Sequence, residues 1–178
     1  AVALGPDVLP LDVRERLADG RIDRVQVIGQ GTAHVAGQSL AAALEATAPD
    51  GRLRIEALPA TELSGFGLRP DMADTLVIAI SQSGTTTDTN RTVDLVRARG
   101  ATVVAIVNRR NSDLTDKADG VLYTSDGRDV EMSVASTKAF YAQVAAGMLL
   151  AAAIAAEVVP TDAGAVERSR LLTGLRSL

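Results

Sequence analysis

Five short apolar runs alternate along this chain with segments of helical composition, and this alternation constrains the fold more than any other feature. The run from Leu76 to Ile80 is apolar throughout, which is typical of a parallel strand covered on both faces. Strands that alternate with helices predict an α/β fold, here a three-layer αβα sandwich with a five-stranded parallel sheet. The predicted strands are Arg24–Gly29, Leu53–Ala57, Thr75–Ile80, Ala101–Val107 and Val121–Thr124.

The segments between these strands predict the helices and the organisation of the chain. The stretch 59–71 carries two prolines and two glycines, so we expect a loop there with one helical turn at Thr61–Ser64. We divide the chain into an N-terminal helical segment (1–22), an α/β domain (23–158) and a C-terminal tail or linker (159–178). The predicted helices are Leu11–Leu17, Ala33–Ala46, Thr87–Arg99, Ser112–Ala118 and Ser133–Glu157.

Composition excludes several classes of function. The net charge is −4 and the chain has no Trp, two Phe and two Tyr, which argues against a nucleic-acid partner held by phosphate contacts or base stacking. With no Cys and one His, we expect no disulfide, no thiol nucleophile, no metal site and no serine triad. The longest apolar run, in the region 142–156, is mostly Ala and predicts a buried helix, not a membrane span. We therefore expect a soluble, cytoplasmic domain without a membrane partner.

The polar loop Ser81–Thr89 directly follows the third strand and opens a helix. The first turn of a helix has unpaired N–H groups and a partial positive charge, so it attracts anions. A helix cap needs only one Ser or Thr, whereas this loop has several hydroxyls and no Lys or Arg. It also has a glycine, Gly84, that can take a positive φ and lets the backbone come close to a ligand. The pattern favours a phosphate monoester over a nucleoside triphosphate, for which the Walker motif is absent. The polar side chains are Ser81, Gln82, Ser83, Thr85 and Thr86.

The loop after the first strand, 29–34, allows more than one interpretation. Gly29 and Gly31 resemble the start of a dinucleotide-binding fingerprint, but His34 occupies the place of the third glycine. The alternatives are a glycine turn that packs a helix against the strand, and a second wall of a small-ligand pocket in which Thr32 donates to the ligand. Because His34 is the lone His and has no carboxylate nearby in sequence, a structural role is favoured for it.

Two further segments carry charge beside the predicted loops. Glu131 and Lys138 are single charges at the start of the long helix, where capping by Ser136 and ion pairing of Lys138 suffice as a structural explanation. The functional interpretation places the backbone of 134–136 against a ligand. The pair Arg109–Arg110 follows the fourth strand, and we interpret it as solvated surface.

Three of these segments together resemble the sugar isomerase (SIS) domain family. They are Gly31-Thr32-Ala33, Ser81-Gln-Ser-Gly-x-Thr86 and Val134-Ala-Ser-Thr-Lys-Ala-Phe140. More narrowly, the three segments are similar to the first of the two SIS halves in the isomerising glutamine–fructose-6-phosphate aminotransferases, and the resemblance extends from about Arg24 to Ala153. It implies a flavodoxin-like SIS fold with a sugar-phosphate pocket.

The resemblance also implies roles for individual residues. Ala33 stands where many members have Ser, which removes one hydroxyl contact, and Thr85 replaces a common Glu, which removes a negative charge near the phosphate. The residues that would hold the phosphate are Ser81, Gln82, Ser83 and Thr86. The residues that would contact the sugar or line the pocket are Thr32, Ala33, Val134, Ala135 and Ser136.

The same resemblance implies an incomplete enzyme. The family's proton-transfer Glu, imine-forming Lys and ring-opening His come from the second SIS half, the C-terminal tail and the partner subunit, and no position here matches them. We expect a sugar-phosphate-binding fragment that is inactive alone, uses no cofactor and associates with a second SIS domain or a homodimer partner. The alternatives are a non-catalytic amino-sugar-phosphate sensor or structural module, a related phosphosugar isomerase or deglycase, and a dinucleotide-binding domain.

Overall fold

The computed structural model describes residues 4–5, 8–48, 51–125 and 137–158 of the 178-residue chain. The strands lie close to their predicted bounds and are β1 (Arg24–Gly29), β2 (Arg54–Pro59), β3 (Thr75–Ser81), β4 (Thr102–Val107) and β5 (Gly120–Tyr123). The helices are α1 (Leu11–Ala18), α2 (Thr32–Thr47), α3 (Ala60–Glu62), which continues into a π-helical turn (Leu63–Gly67), α4 (Thr87–Arg97), α5 (Asp113–Lys117) and α6 (Thr137–Val158).

The strands form one parallel sheet in the order β2-β1-β3-β4-β5, which is the flavodoxin-like order. Strand β1 has neighbours on both sides, so Arg24 lies beside Arg54 of β2 and beside Thr75 of β3. Every residue of the central strand β3 is buried. Because a strand covered on both faces has no solvent side, its sequence is apolar almost throughout. The predicted five-stranded parallel sheet is confirmed.

Helices cover both faces of the sheet, and successive residues of β3 show how the core divides. Ile78 and Ile80 belong to one apolar cluster, together with residues of α1, α2 and α6. Val77 and Ala79 belong to a second cluster, together with residues of α3, α4 and α5. Side chains alternate across a strand, so one short sequence supplies both clusters. The predicted three-layer arrangement is therefore confirmed.

Helix α1 packs onto the first of these clusters. Val13 and Leu17, four residues apart on one helix face, are fully buried there. An ion pair between Arg14 Nε and Glu157 Oε1, at 2.9 Å, joins α1 to α6. The N-terminal helix thus shares the core of the sheet, and the division of the chain at residue 22 stays a prediction.

Helix α6 is long and apolar enough to cross a membrane by length and composition alone. However, 50% of its most apolar window is buried inside the domain, where Leu150 and Ile154 are fully buried in the first cluster. Gly147 lets α6 approach α2 closely, because a Cβ at this position would lie 3.1 Å from Cβ of Leu40. These contacts support a core helix, as its alanine-rich composition predicts.

The segment after β2 has more helical structure than the sequence predicts. The chain passes from β2 directly into α3 and the π-helical turn Leu63–Gly67. Leu63 is fully buried in the second cluster and anchors the turn, whereas Phe66 is 88% exposed. A turn anchored by one leucine that two glycines follow has no apolar periodicity, so the sequence pattern underestimates its length.

Candidate functional site

The two loops predicted to bind a ligand leave the sheet at its topological switch point. From β1 the chain moves outward to β2 and then crosses back to β3, on the other side of β1. The loops after β1 and β3 therefore begin side by side and lead into α2 and α4, which cover opposite faces. In open parallel sheets the crevice at such a point, outside the carboxyl ends of the strands, is where ligands bind.

Two glycines shape the loop after β1. Gly29 has no room for a side chain, because a Cβ there would lie 2.8 Å from the carbonyl carbon of Ala33 and 2.9 Å from the backbone nitrogen of His34. Gly31 has a φ of 57° and is the N-cap of α2. Helix–strand packing and turn geometry thus explain both glycines without a ligand. Thr32 is left exposed as the first residue of α2, while Ala33 is buried.

Hydroxyl groups hold the loop after β3 in a folded shape. Ser81 is 3% exposed, and its Oγ accepts a hydrogen bond from the N–H of Gly84 at 3.1 Å. The same Oγ lies 3.3 Å from Oγ1 of Thr86. Ser83 Oγ accepts from the N–H and the hydroxyl of Thr85, at 3.2 and 3.0 Å. The polar side chains of the loop therefore preorganise it before any ligand arrives.

Several donors remain available at this loop. Ser83 Oγ accepts in both of its hydrogen bonds with Thr85, so its own hydroxyl proton is free to donate. Helix α4 follows Thr86, which makes no side-chain capping bond. The first helical N–H bond runs from Asn90 to the carbonyl of Thr86, at 3.0 Å. In the part of the chain that the structure describes, the earlier N–H groups of this turn are thus left to solvent or to an anion.

The segment after β4 supports the loop from the side. The carbonyl oxygen of Gln82 accepts from the N–H groups of Asn108 and Arg109, both at 3.2 Å. Sequence reasoning interpreted Arg109 as solvated surface, and its side chain is indeed exposed, but it missed this backbone contact. The signal that could have revealed it is strand adjacency, since β3 and β4 are neighbours and their loops meet at one edge.

Gly84 forms a second point of contact with the same segment. Its carbonyl oxygen accepts from the N–H of Leu114 at 3.1 Å and from Nδ2 of Asn90 at 3.0 Å. Its φ is 68°, and a Cβ there would lie 2.0 Å from Oγ of Ser112, the N-cap of α5. Only glycine satisfies both the backbone conformation and this close approach.

The structure places the described site residues beside the crevice, at the end of β3, in the loop after it and in the first turn of α2, and their roles in binding stay predictions. The described residues are Thr32, Ala33, Ser81, Gln82, Ser83 and Thr86. The predictions for Val134, Ala135 and Ser136 lie outside the described residues.

The crevice offers neutral donors for binding. Segments 29–34 and 81–86 contain no Asp, Glu, Lys or Arg. Their single titratable side chain, His34, has a buried Nδ1 atom with no partner among the described residues. In the same described ranges, no group of three or more His, Cys, Asp and Glu is arranged to hold a metal ion. Hydroxyls, an amide and an open helix start suit a phosphate group.

Comparisons with known proteins agree with this geometry. A family model described as SIS domain matches residues 21–153. The chain is 42% identical over 146 residues to the isomerizing glutamine–fructose-6-phosphate aminotransferase of Mycobacterium tuberculosis, which covers 79% of this chain and 22% of that protein. It is 44% identical over 131 residues to the protein of the same name from Corynebacterium efficiens, covering 72% and 20%. The chain therefore spans about a fifth of the length of these curated relatives.

A solved structure gives the same result. The C-terminal domain of glucosamine-fructose-6-phosphate aminotransferase from Francisella tularensis superimposes with a TM-score of 0.74 at 25% identity. The match covers 97% of this chain and 48% of that chain. The fold and the sequence similarity thus point to the same group of proteins.

Proposed function

This chain belongs to the SIS domain family, and on that premise we propose that it binds a sugar phosphate as the first SIS domain of an isomerising glutamine–fructose-6-phosphate aminotransferase. The whole enzyme would use an amino donor to convert fructose 6-phosphate into glucosamine 6-phosphate. Identities of 42% and 44% to proteins of that name support the assignment. The sensor module and the dinucleotide-binding domain have no comparable support.

One observation carries the phosphate assignment: α4 begins without a side-chain cap beside a loop of preorganised hydroxyls. A phosphate monoester placed there would accept from the first-turn N–H groups and from Ser83. It would also interact with the positive end of the helix dipole. In the Ser81–Thr86 pair only one hydroxyl can donate to the other, so the second proton is available as well. Thr32, at the start of α2, would reach the same ligand from the opposite side of the crevice.

This chain alone should bind the sugar phosphate without turning it over. Amino transfer and proton shuttling between adjacent carbons need an acid–base group and an amine at the reacting atoms. The two crevice loops supply neither a carboxylate nor a Lys. We assign those groups to a second SIS domain or to a second copy of this chain. The chemistry needs no metal and no redox cofactor, and we place the protein in the cytoplasm.

The outer side of α6 supports such an association. The helix carries no charged side chain from Ala139 to Ala156. Tyr141 and Met148, separated by two helical turns, are 65% and 38% exposed. An uncharged helix face with exposed large apolar side chains is typical of a protein interface. The solved Francisella tularensis chain, of which this chain covers 48%, is long enough to hold a second domain of the same size.

A thermal-shift titration of this chain tests the proposal. The ligands are fructose 6-phosphate, glucosamine 6-phosphate, unphosphorylated glucosamine and NADH. A ligand at about 100 times its Kd stabilises the folded state by about 2.7 kcal/mol. For a chain of this length that corresponds to an increase in Tm of about 5–10 °C. We expect this increase with both sugar phosphates and none with glucosamine or NADH.

Two variants locate the phosphate. Ser83→Ala removes the free hydroxyl of the loop and should abolish most of the increase. Ser64→Ala is the matched control, because Ser64 Oγ donates to Thr61 O at 3.2 Å in the π-helical region, outside the crevice loops. Equal loss in both variants, an increase with glucosamine alone, or no increase with millimolar sugar phosphate would contradict the proposal. Isomerase activity from this chain alone would overturn the assignment of catalysis to a second domain.

A further inference from the structure

A turn at the carboxyl end of β4 lies beside the candidate site and carries Arg109 and Arg110. Its backbone is tied to the loop after β3 by the bonds from Asn108 and Arg109 to Gln82 O, both at 3.2 Å. The hydroxyl of Ser112 donates to the carbonyl of Arg109 at 3.4 Å, and Asn111 closes the turn with a φ of 52°. The backbone of Arg109 is thus held against the loop proposed to bind phosphate.

The side chains of Arg109 and Arg110 differ in what they contact. The guanidinium of Arg110 lies over the ring of Tyr123, 4.2 Å from its centroid, and a cation–π contact holds it there. The side chain of Arg109 is exposed and makes no ion pair with a carboxylate in the described ranges of the chain. Arg109 is therefore the arginine of this turn whose guanidinium is available to a ligand.

A phosphate bound at the loop after β3 would carry a negative charge that no side chain of the loop balances. Segment 81–86 contains only neutral side chains, yet a phosphate monoester carries a charge between −1.5 and −2 at pH 7. Asp88, in the first turn of α4, is exposed and adds a further negative charge near that loop. A cation on the neighbouring turn would offset both.

We infer that Arg109 is a specificity-determining residue that pairs with the phosphate of a dianionic sugar phosphate bound at the Ser81–Thr86 loop. This inference rests on the proposed function and adds to it a reason for preferring the dianion over the monoanion and over a neutral sugar. Arginine suits the role because its planar fork can donate two hydrogen bonds to phosphate oxygens.

The expected effect is modest because Arg109 is exposed. In a direct pair the charge centres of a guanidinium and a phosphate dianion lie about 4 Å apart, and in water their attraction corresponds to about a thirtyfold change in Kd. Salt at 0.1 M screens part of this attraction. Removal of Arg109 should therefore weaken binding of the dianion by about three- to tenfold. The monoanion, which carries half the charge, should lose less.

Calorimetric titration of the whole chain with glucosamine 6-phosphate, inorganic phosphate and glucosamine tests the inference. The variants are Arg109→Ala, Arg109→Lys and the matched control Arg110→Ala, which removes the same charge from the adjacent position. We expect Arg109→Ala to weaken both phosphate ligands at pH 7.5 and to weaken them less at pH 5, where the monoanion dominates. Arg109→Lys should retain part of the affinity, and Arg110→Ala should change Kd less than about twofold.

The outcomes separate this inference from the proposed function. If the unaltered chain binds glucosamine 6-phosphate, and Arg109→Ala and Arg110→Ala have equal Kd values, the inference is overturned while the proposed function stands. The same holds if the loss in Arg109→Ala does not depend on pH or salt. If the unaltered chain shows no phosphate-dependent binding at millimolar ligand, both are overturned. Circular dichroism of each variant establishes that a loss of affinity is not a loss of fold.

Discussion

Replacing Gly84 by alanine tests the packing that shapes the candidate site. The added Cβ would be penalised twice, by the backbone conformation and by contact with Ser112. The φ of 68° places residue 84 in the left-handed region, which costs an L-residue about 1–2 kcal/mol. The new Cβ would also lie 2.0 Å from Oγ and 2.6 Å from Cβ of Ser112. Rotation of the Ser112 side chain relieves the first contact but not the second. The two backbone segments must therefore move apart.

The expected loss of stability in Gly84→Ala is the sum of the conformational and the steric penalty. Inserting an extra methyl into a tightly packed position costs about 1–3 kcal/mol, so the total is about 2–5 kcal/mol. For a chain of 178 residues, each kcal/mol lowers Tm by about 2–4 °C. A loss of about 3 kcal/mol thus lowers Tm by about 6–12 °C. The separation also weakens the bond from Leu114 N–H to Gly84 O, at 3.1 Å, so sugar-phosphate affinity should fall as well.

The assay is urea unfolding combined with differential scanning calorimetry, and Gly100→Ala is the control. Gly100 has a φ of 88°, but a Cβ there would meet Ala73 at an ordinary distance of 3.5 Å. Gly100→Ala should therefore show only the conformational cost of about 1–2 kcal/mol. In the double variant Gly84→Ala/Ser112→Gly both contacts with Ser112 are gone and only the approach to Cγ2 of Val107, at 3.1 Å, remains tight. The cost of Gly84→Ala should therefore fall towards that of the control. If Gly84→Ala costs no more than Gly100→Ala, or if Ser112→Gly brings no relief, the steric reasoning is refuted.

Two further predictions concern the rest of the domain. Gly147→Val should destabilise the domain by about 1–3 kcal/mol in urea unfolding, because its Cβ would lie 3.1 Å from Cβ of Leu40 in α2. Gly147→Ala should cost less, because the gain in helix propensity offsets part of the crowding. The hydrogen bond from Arg69 lowers the pKa of Asp74 below its ordinary value, so the unfolded chain binds this proton more readily than the folded one. This stabilisation is therefore present above the ordinary carboxyl pKa and disappears as the pH falls through the lower folded value. Asp74→Asn should cost about 0.2–1 kcal/mol at pH 7, since the pair is a third exposed. The difference in unfolding free energy between the unaltered chain and Asp74→Asn should vanish in acid. A difference that grows below about pH 4 would contradict the argument.

Much of the site could be predicted from local sequence. The loop Ser81–Thr86 is recognisable because a buried strand, a glycine and a cluster of hydroxyls follow one another without interruption. The turn at Gly31 and the start of α2 are equally local. By contrast, the π-helical turn Leu63–Gly67 was expected as a loop with a single helical turn, because one buried leucine leaves no periodic signal. The role of Gly84 was only partly predicted: its positive φ was expected, but its contact with Ser112 was not.

The sequence by itself determined which segments form strands, which loops are polar and that segments 29–34 and 81–86 carry no Asp, Glu, Lys or Arg, because each of these properties depends on the order of neighbouring residues. Only the tertiary structure decided which loops meet. The order β2-β1-β3-β4-β5 places the loops of β1 and β3 at the switch point and brings Arg109 of the next loop against Gln82. Apolar patterning specifies that a strand is buried but not which strand lies beside it, since any apolar neighbour satisfies the same hydrophobic requirement. Contacts between residues distant in sequence, such as Gly84 with Ser112, exist only once that order is chosen.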